Sequence, residues 1–231
     1  MQILQEEIQK LPAKQVIEEC DYDRDQVLSS VFFIQKPDKT FRTIFNMKRL
    51  NEVIKYRHFK MDTLDTAVTL LRPAWYMASI DLKDAYYTVR VVPEDRKYLR
   101  FAVSDQIFQF RAMPMGLSSA PRIFTKIVKP VLATLRQRGI ICMAYIDDLL
   151  LVGPTAEKCS AAVADCIALL TDLGFVVNCE KSQLTPSQRL RYLGFELDSV
   201  SIKVFLPLDK TTKVISFAEK LLWSLALQHV R

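Results

Sequence analysis

Two adjacent aspartates, Asp147 and Asp148, interrupt the most apolar stretch of the sequence, and no other feature limits the possible folds so tightly. Ile140 to Ile146 precedes them and Leu149 to Val152 follows, each with the composition of a buried strand. A pair of charges midway between Gly139 and Gly153 rules out a membrane helix there. Two apolar runs meeting at a polar point read instead as a β-hairpin with the aspartates at its tip. The tip is made of unsuitable residues. Two-residue hairpin turns favour Asn-Gly or Asp-Gly, because their central φ angles must be positive. Tyr145-Ile146-Asp147-Asp148 offers a β-branched residue and two like charges instead. Taken alone, the pair reads as an exposed acidic turn. The flanking strands nevertheless draw those charges towards a packed sheet, where carboxylates are costly unless paired or metal-bound. A local rule broken in this way marks the place where a functional site is expected.

A third aspartate changes the weight of these readings. Asp81 ends the apolar run Trp75 to Ile80, which reads as a strand. If that strand lies beside the hairpin, three carboxylates converge on one sheet edge and cannot all stay ionised without cations. Hard oxygen ligands select Mg²⁺ or Mn²⁺. Two such ions about 3.5–4 Å apart suit in-line phosphoryl transfer.

Composition permits this chemistry without requiring it. Half of the 231 residues are hydrophobic and a quarter are charged, which suits one large folded domain or two lobes and excludes a disordered chain. Thirty-two Lys and Arg against 26 Asp and Glu leave a net charge of +6, compatible with a polyanionic partner. Five cysteines, odd in number and without C-x-x-C spacing, read as small core residues in a reducing compartment. His58 and His229 are too few for a zinc site. The N-terminus has no signal pattern, so an intracellular, non-secreted protein without a membrane span is expected.

The rest of the chain alternates strands and helices, giving an α+β fold. Leu4, Ile8 and Leu11 lie at helical spacing. Ser30 to Ile34 and Phe41 to Asn46 read as strands around the turn at 37–40, and Met47 to Val53 as a short helix. Short strands are expected at Thr88 to Val92, Tyr98 to Val103 and Ile107 to Arg111. A long helix should start after Ser118-Ser119-Ala120-Pro121 and end at Gly139, with Arg122, Lys126 and Lys129 on one face. Thr155 caps the next helix, whose apolar face is Cys159, Ala162, Val163, Cys166 and Leu170, and Gly174 stops it. Phe175 to Val177, Leu190 to Leu197 and Ser201 to Leu206 are expected strands. An amphipathic helix from about Asp209, with Val214, Phe217, Leu221 and Leu222, closes the chain.

Five blocks, in this order, resemble successive motifs of reverse transcriptases. They are Ser79-Ile80-Asp81-Leu82-Lys83-Asp84-Ala85-Tyr86-Tyr87, Met113-Pro114-Met115-Gly116-Leu117-Ser118-Ser119-Ala120-Pro121, Tyr145-Ile146-Asp147-Asp148, Gly174-Phe175 through Cys179-Glu180-Lys181, and Tyr192-Leu193-Gly194-Phe195. The match covers roughly residues 28 to 210 and is similar in style to retrotransposons of the Gypsy and DIRS types. It implies a right-hand polymerase fold: fingers at 1–56 and 89–119, palm at 57–88 and 120–199, and only the start of a thumb at 200–231.

The same resemblance implies roles. Asp81 and Asp147 would hold two Mg²⁺ or Mn²⁺ ions, with the backbone carbonyl of Leu82 assisting and Asp148 close by. Lys36 and Arg42 would clasp the triphosphate of the incoming deoxynucleotide, an ammonium and a bidentate guanidinium being suited to that anion. Asp84 and Ala85 would line the triphosphate and ribose pocket, and Tyr86 would block a 2′-hydroxyl. Lys181 would protonate the leaving pyrophosphate. Tyr145, Leu193 and Gly194 would touch the primer and template, and Arg122, Lys126 and Lys129 would track template phosphates. Each has a plainer reading: solvated charges for the basic residues, palm packing for Tyr86, a simple hairpin for Leu193 and Gly194.

Two departures matter. Met115 stands where relatives often carry glutamine or an aromatic residue against the nucleotide, and Asn46 where an aspartate is common. The resemblance also implies a full helical thumb, then often ribonuclease H and integrase or recombinase regions, whereas about one helix follows Phe195. The chain is therefore expected to be a piece of a longer polyprotein or a decayed insertion, with a weak grip on primer-template duplex. The competing function is a silent remnant acting as a nucleic-acid-binding module. A small-molecule nucleotidyl transferase fits less well, because it leaves Tyr86 and Tyr192 to Phe195 unexplained.

Overall fold

The computed structural model describes residues 11–12, 14–35 and 41–228, with side chains to residue 219. Most of the helix expected from Leu4, Ile8 and Leu11, together with Lys36 and the turn at 37–40, lies outside the described residues. The elements in chain order begin with β1 (Ile17–Glu19), β2 (Leu28–Gln35), β3 (Phe41–Asn46), α1 (Lys48–Val53), α2 (Leu64–Leu70) and β4 (Tyr76–Asp81). Then come β5 (Arg100–Val103), β6 (Gln106–Phe110), α3 (Ala120–Gln137), β7 (Ile141–Tyr145), β8 (Asp148–Gly153) and α4 (Ala156–Asp172). The last are β9 (Gln183–Ser187), β10 (Arg189–Tyr192), β11 (Phe195–Asp198), β12 (Lys203–Phe205) and α5 (Leu208–Gln228). Among the described residues no helix is long and apolar enough to cross a membrane. The chain divides into two compact units.

The first unit comprises residues 1–61, 82–131 and 170–176. Its sheet has five strands in the order β1-β6-β5-β2-β3. Phe45, Phe101 and Phe110 form its centre, with Phe45 4.9 Å from each of the other two rings. Such tilted and edge-on contacts add to the area these rings bury. The strand expected at Thr88 to Val92 does not form. A 3₁₀ turn, Ala85–Thr88, occupies its start and a second, Pro93–Tyr98, follows, leaving one isolated bridge from Arg90 to Ala112. Asp84 in the left-handed region (φ 53°) and Pro93 at the head of the second turn override the β-branched composition between them.

The second unit comprises residues 62–81, 132–169 and 177–231. It holds a four-stranded sheet, β7-β8-β4-β9, and a three-stranded one, β10-β11-β12. Leu149, Leu150 and Leu151 of β8 are fully buried, as a strand covered on both faces requires. On one side Met77, Met143, Leu150 and Val152 pack with Leu190, Tyr192 and Leu197. On the other Ala78 meets Cys159 and Val163 of α4. Thr155 caps α4 as expected, its hydroxyl accepting from the Lys158 amide at 3.2 Å.

Three expectations need correction in this part of the chain. Phe175 to Val177 forms no strand. The neighbour of β4 is β9, which contains Pro186 and polar residues, and which lies at the sheet edge, where proline is tolerated. Cys142, Cys159 and Cys166 are buried, but Cys20 is half-buried and Cys179 exposed, so the cysteines are not all core residues. In α5, Val214 and Phe217 are exposed rather than covered.

Candidate active site

The β7–β8 hairpin closes on the pair Tyr145 and Asp148, leaving Ile146 and Asp147 as its two-residue turn. Ile146 takes φ 57°. A β-branched residue in that region costs roughly 1–2 kcal/mol, strain that functional sites characteristically store. The unfavourable turn chemistry of the sequence is therefore real in three dimensions.

β4 runs antiparallel to β8 in a register that sets Asp81 directly opposite Asp148. Directly opposed residues send their side chains to one face, with Cβ atoms about 4.5–5.5 Å apart. Burial pushes the Asp148 carboxyl from its ordinary 3.8 up to about 6, and repulsion from Asp147 and Asp81 adds to this while Lys181 opposes it. Burial also raises Asp147. Its own backbone amide works against that rise, Asp81 adds to it, and Lys181 again lowers. Three carboxylates and one ammonium thus share one electrostatic field.

The segment after α4 carries Lys181 to this place. The Asn178 amide donates to the Asp81 carbonyl at 2.8 Å. The Asp81 amide donates to the Ser182 hydroxyl at 2.9 Å, and that hydroxyl donates to the Asn178 carbonyl at 2.7 Å. Both backbone groups of Asp81 are held by this turn. Ser182 has no motif of its own in the sequence beyond its place next to Lys181.

β10 and β11 approach from the other side of the same strands. The Tyr192 hydroxyl, almost wholly buried, donates to the backbone carbonyl of Asp148 at 2.9 Å. Leu193 and Gly194 form the turn with φ 47° and 79°, the doubly positive pattern of a tight hairpin. Lys210 of α5 donates its ammonium to the Gly194 carbonyl at 2.9 Å, and a Cβ at position 194 would collide with that same nitrogen.

The remaining expected site residues belong to the first unit, apart from Lys36, which is outside the described residues. Arg42 is exposed on β3, paired in register with Ile34. Leu82 and Ala85 are buried. Asp84 forms an ion pair with Lys14 at 2.6 Å, and Tyr86 stands edge-on to Phe124 with centroids 5.7 Å apart. Tyr86 therefore does pack as its plainer reading held, at half-burial. Met115 is half exposed, beside a loop clamped by Asn51, whose amide donates to the Gly116 carbonyl and accepts from the Ser118 amide, each at 2.8 Å. On α3, Lys126 and Lys129 are exposed and Arg122 is half-buried.

Among the described residues no group of three or more His, Cys, Asp or Glu side chains is placed to hold a metal ion. An open set is what Mg²⁺ accepts, since it binds through one or two carboxylates and completes its shell with water and substrate phosphates. Two carboxyls raised by burial and by repulsion from neighbouring carboxylates fit a divalent cation, which would relieve both effects.

The family model described as reverse transcriptase (RNA-dependent DNA polymerase) matches residues 34–197. The Transposon Tf2-3 polyprotein of Schizosaccharomyces pombe is 25% identical over 177 residues, 77% of this chain and 13% of that one. The chain therefore spans about an eighth of the length of the curated relatives it matches. The foamy viral protease-reverse transcriptase in complex with double-stranded DNA superposes with a TM-score of 0.80 at 19% identity, over 91% of this chain and 36% of that one. Its complex with an RNA/DNA hybrid gives 0.74 at 18% identity, over 91% of this chain and 27% of that one. At such identities the structures establish a shared polymerase fold.

Proposed function

Since the chain belongs to the reverse transcriptase (RNA-dependent DNA polymerase) family, we propose that it adds deoxynucleotides to the 3′-hydroxyl of a primer paired with an RNA or DNA template. The observation that carries this reading is the register of β4 against β8, which faces Asp81 with Asp148 beside the strained Asp147 turn. Asp81 and Asp147, with the Leu82 carbonyl, would hold two Mg²⁺ or Mn²⁺ ions, and Asp148 would tune their charge. When bound, such ions lower the pKa of the attacking hydroxyl and neutralise charge on the α-phosphate and leaving pyrophosphate. The chain's own contribution is positioning and charge. Asn178 and Ser182 fix the backbone of Asp81, and Lys181 supplies a proton donor towards the pyrophosphate.

For the incoming nucleotide we assign Arg42 and Lys36 to the triphosphate, the turn at Asp84 and Ala85 to the sugar and phosphates, Tyr86 to exclusion of a 2′-hydroxyl, and Met115 to the base or sugar. Leu193 and Gly194, with Tyr145, would hold the primer end, and Arg122, Lys126 and Lys129 the template backbone. A work site inside the cell is part of the proposal and is supported by five free cysteines. The retained and mutually coupled carboxylates favour catalysis over a silent binding module.

The test is deoxynucleotide incorporation on a primed RNA template with Mg²⁺ or Mn²⁺, comparing the native chain with Asp147→Asn. Incorporation should vanish in the variant while primer-template affinity stays. Equal incorporation by both proteins would refute the metal assignment.

A further inference from the structure

The hydroxyl of Tyr192 has a position that packing alone does not require. Its ring lies in the apolar cluster of Met77, Met143, Leu150 and Leu197, where phenylalanine would fill nearly the same volume. A buried phenolic hydroxyl must find a partner. Here the partner is the carbonyl of Asp148, 44 residues away in the chain, at 2.9 Å. Asp148 pairs with Tyr145 to close the turn that carries Asp147, so the hydroxyl holds one end of that turn.

That turn needs restraint. Ile146 is held at φ 57°, and the strand register sets Asp81 directly opposite Asp148 at the foot of the turn. Tyr192 is itself fixed, because the turn it closes is pinned by Lys210 on the Gly194 carbonyl. From this geometry we infer that Tyr192 is a positioning residue: its hydroxyl clips the closing pair of the turn and sets the carboxylates for divalent-cation binding. The inference builds on the polymerase reading but makes a separate claim about cation affinity.

The experiment compares Tyr192→Phe with the native chain in three measurements: Mn²⁺ binding from the free-ion paramagnetic resonance signal, primer-template affinity, and single-nucleotide incorporation. Partners one shell removed from a metal typically alter affinity or activity about ten- to hundredfold. The variant should therefore bind Mn²⁺ and incorporate that much more weakly, with primer-template affinity unchanged. Tyr192→4-aminophenylalanine keeps a donor at the same place and should restore most of both losses, whereas Tyr192→4-fluorophenylalanine, which fills the space without a donor, should not. Native Mn²⁺ affinity in Tyr192→Phe overturns the inference, and so does a deficit that the amino analogue leaves uncorrected. If the phenylalanine variant does not fold, the amino analogue decides: native-like Mn²⁺ binding supports the clip and weakened binding overturns it. A native chain that binds Mn²⁺ but incorporates nothing sinks the polymerase reading alone, and the Mn²⁺ comparison still judges Tyr192.

Discussion

Asp148 is a single residue whose ionised form opposes stability. Its carboxyl titrates at about 6 in the folded chain against an ordinary 3.8, so the unfolded state gives up its proton first. Below pH 4 both states are protonated and the site costs nothing. Between pH 4 and 6 the unfolded chain ionises while the folded one resists, and stability falls as pH rises. Above pH 6 the full penalty is in place, and because the carboxyl is only half-buried, water screens it below what the shift alone would give. Asp148→Asn should accordingly stabilise the protein against urea at pH 7.5 without divalent cations and have little effect at pH 4, and added Mg²⁺ should shrink the gain. A gain of equal size at both pH values would show that the carboxylate's charge is not its cause. Ile146 is the second such residue. Ile146→Gly removes the left-handed strain but frees the turn, so the unfolding free energy should stay within about 1 kcal/mol of the native value while the incorporation rate drops. A loss of several kcal/mol in urea titrations would mean that the isoleucine packs usefully and is not strained.

At the scale of elements, the β8–α4 contact rests on one glycine. A Cβ on Gly153 would sit 2.8 Å from the Cys159 backbone nitrogen and 2.9 Å from its Cα. Replacing glycine by alanine in a tolerant site stabilises by about 0.4–1 kcal/mol, whereas overpacking a core costs about 1–3 kcal/mol. Because the obstacle is backbone in the first turn of α4, overpacking should win, and Gly153→Ala should lower the urea midpoint. A raised midpoint would show that α4 moves aside freely. The elements that could be read from sequence have their signals in adjacent residues: the hairpin from the broken apolar run, α3 from Ser-Pro, α4 from Thr155 and Gly174. At Thr88 to Val92 strand composition is overruled by Asp84 and Pro93, and β9 carries no strand signal because an edge strand can hold Pro186. The carboxylates were legible since they break a local rule. Ser182 and the Tyr192 hydroxyl were not, because each is defined by a hydrogen bond to backbone, 101 and 44 residues distant, that leaves no spacing pattern.

For the molecule as a whole, the net charge of +6 conceals two opposed distributions. The edge that carries Asp81, Asp147 and Asp148 is acidic and would repel nucleic acid unless cations intervene. Exposed Lys126 and Lys129 on α3 offer phosphate contacts instead. Binding by counterion release makes log K fall linearly with log salt, by about 0.9 per phosphate neutralised on duplex DNA. If α3 tracks the template backbone, Lys126→Ala and Lys129→Ala should each weaken primer-template binding evenly across sequences and flatten the salt slope by about 1. Arg122→Ala should do so less cleanly, because that side chain is half-buried and its loss disturbs packing as well as charge. Fluorescence anisotropy over a salt series reads the slope directly. Unchanged slopes in both lysine variants would make this face a solvated helix surface and move the template path elsewhere, while leaving the carboxylate site untouched. Divalent cations supply the complementary check. Asp147→Asn should depend less on Mg²⁺ for primer-template binding than the native chain does, since one source of repulsion at the acidic edge has gone.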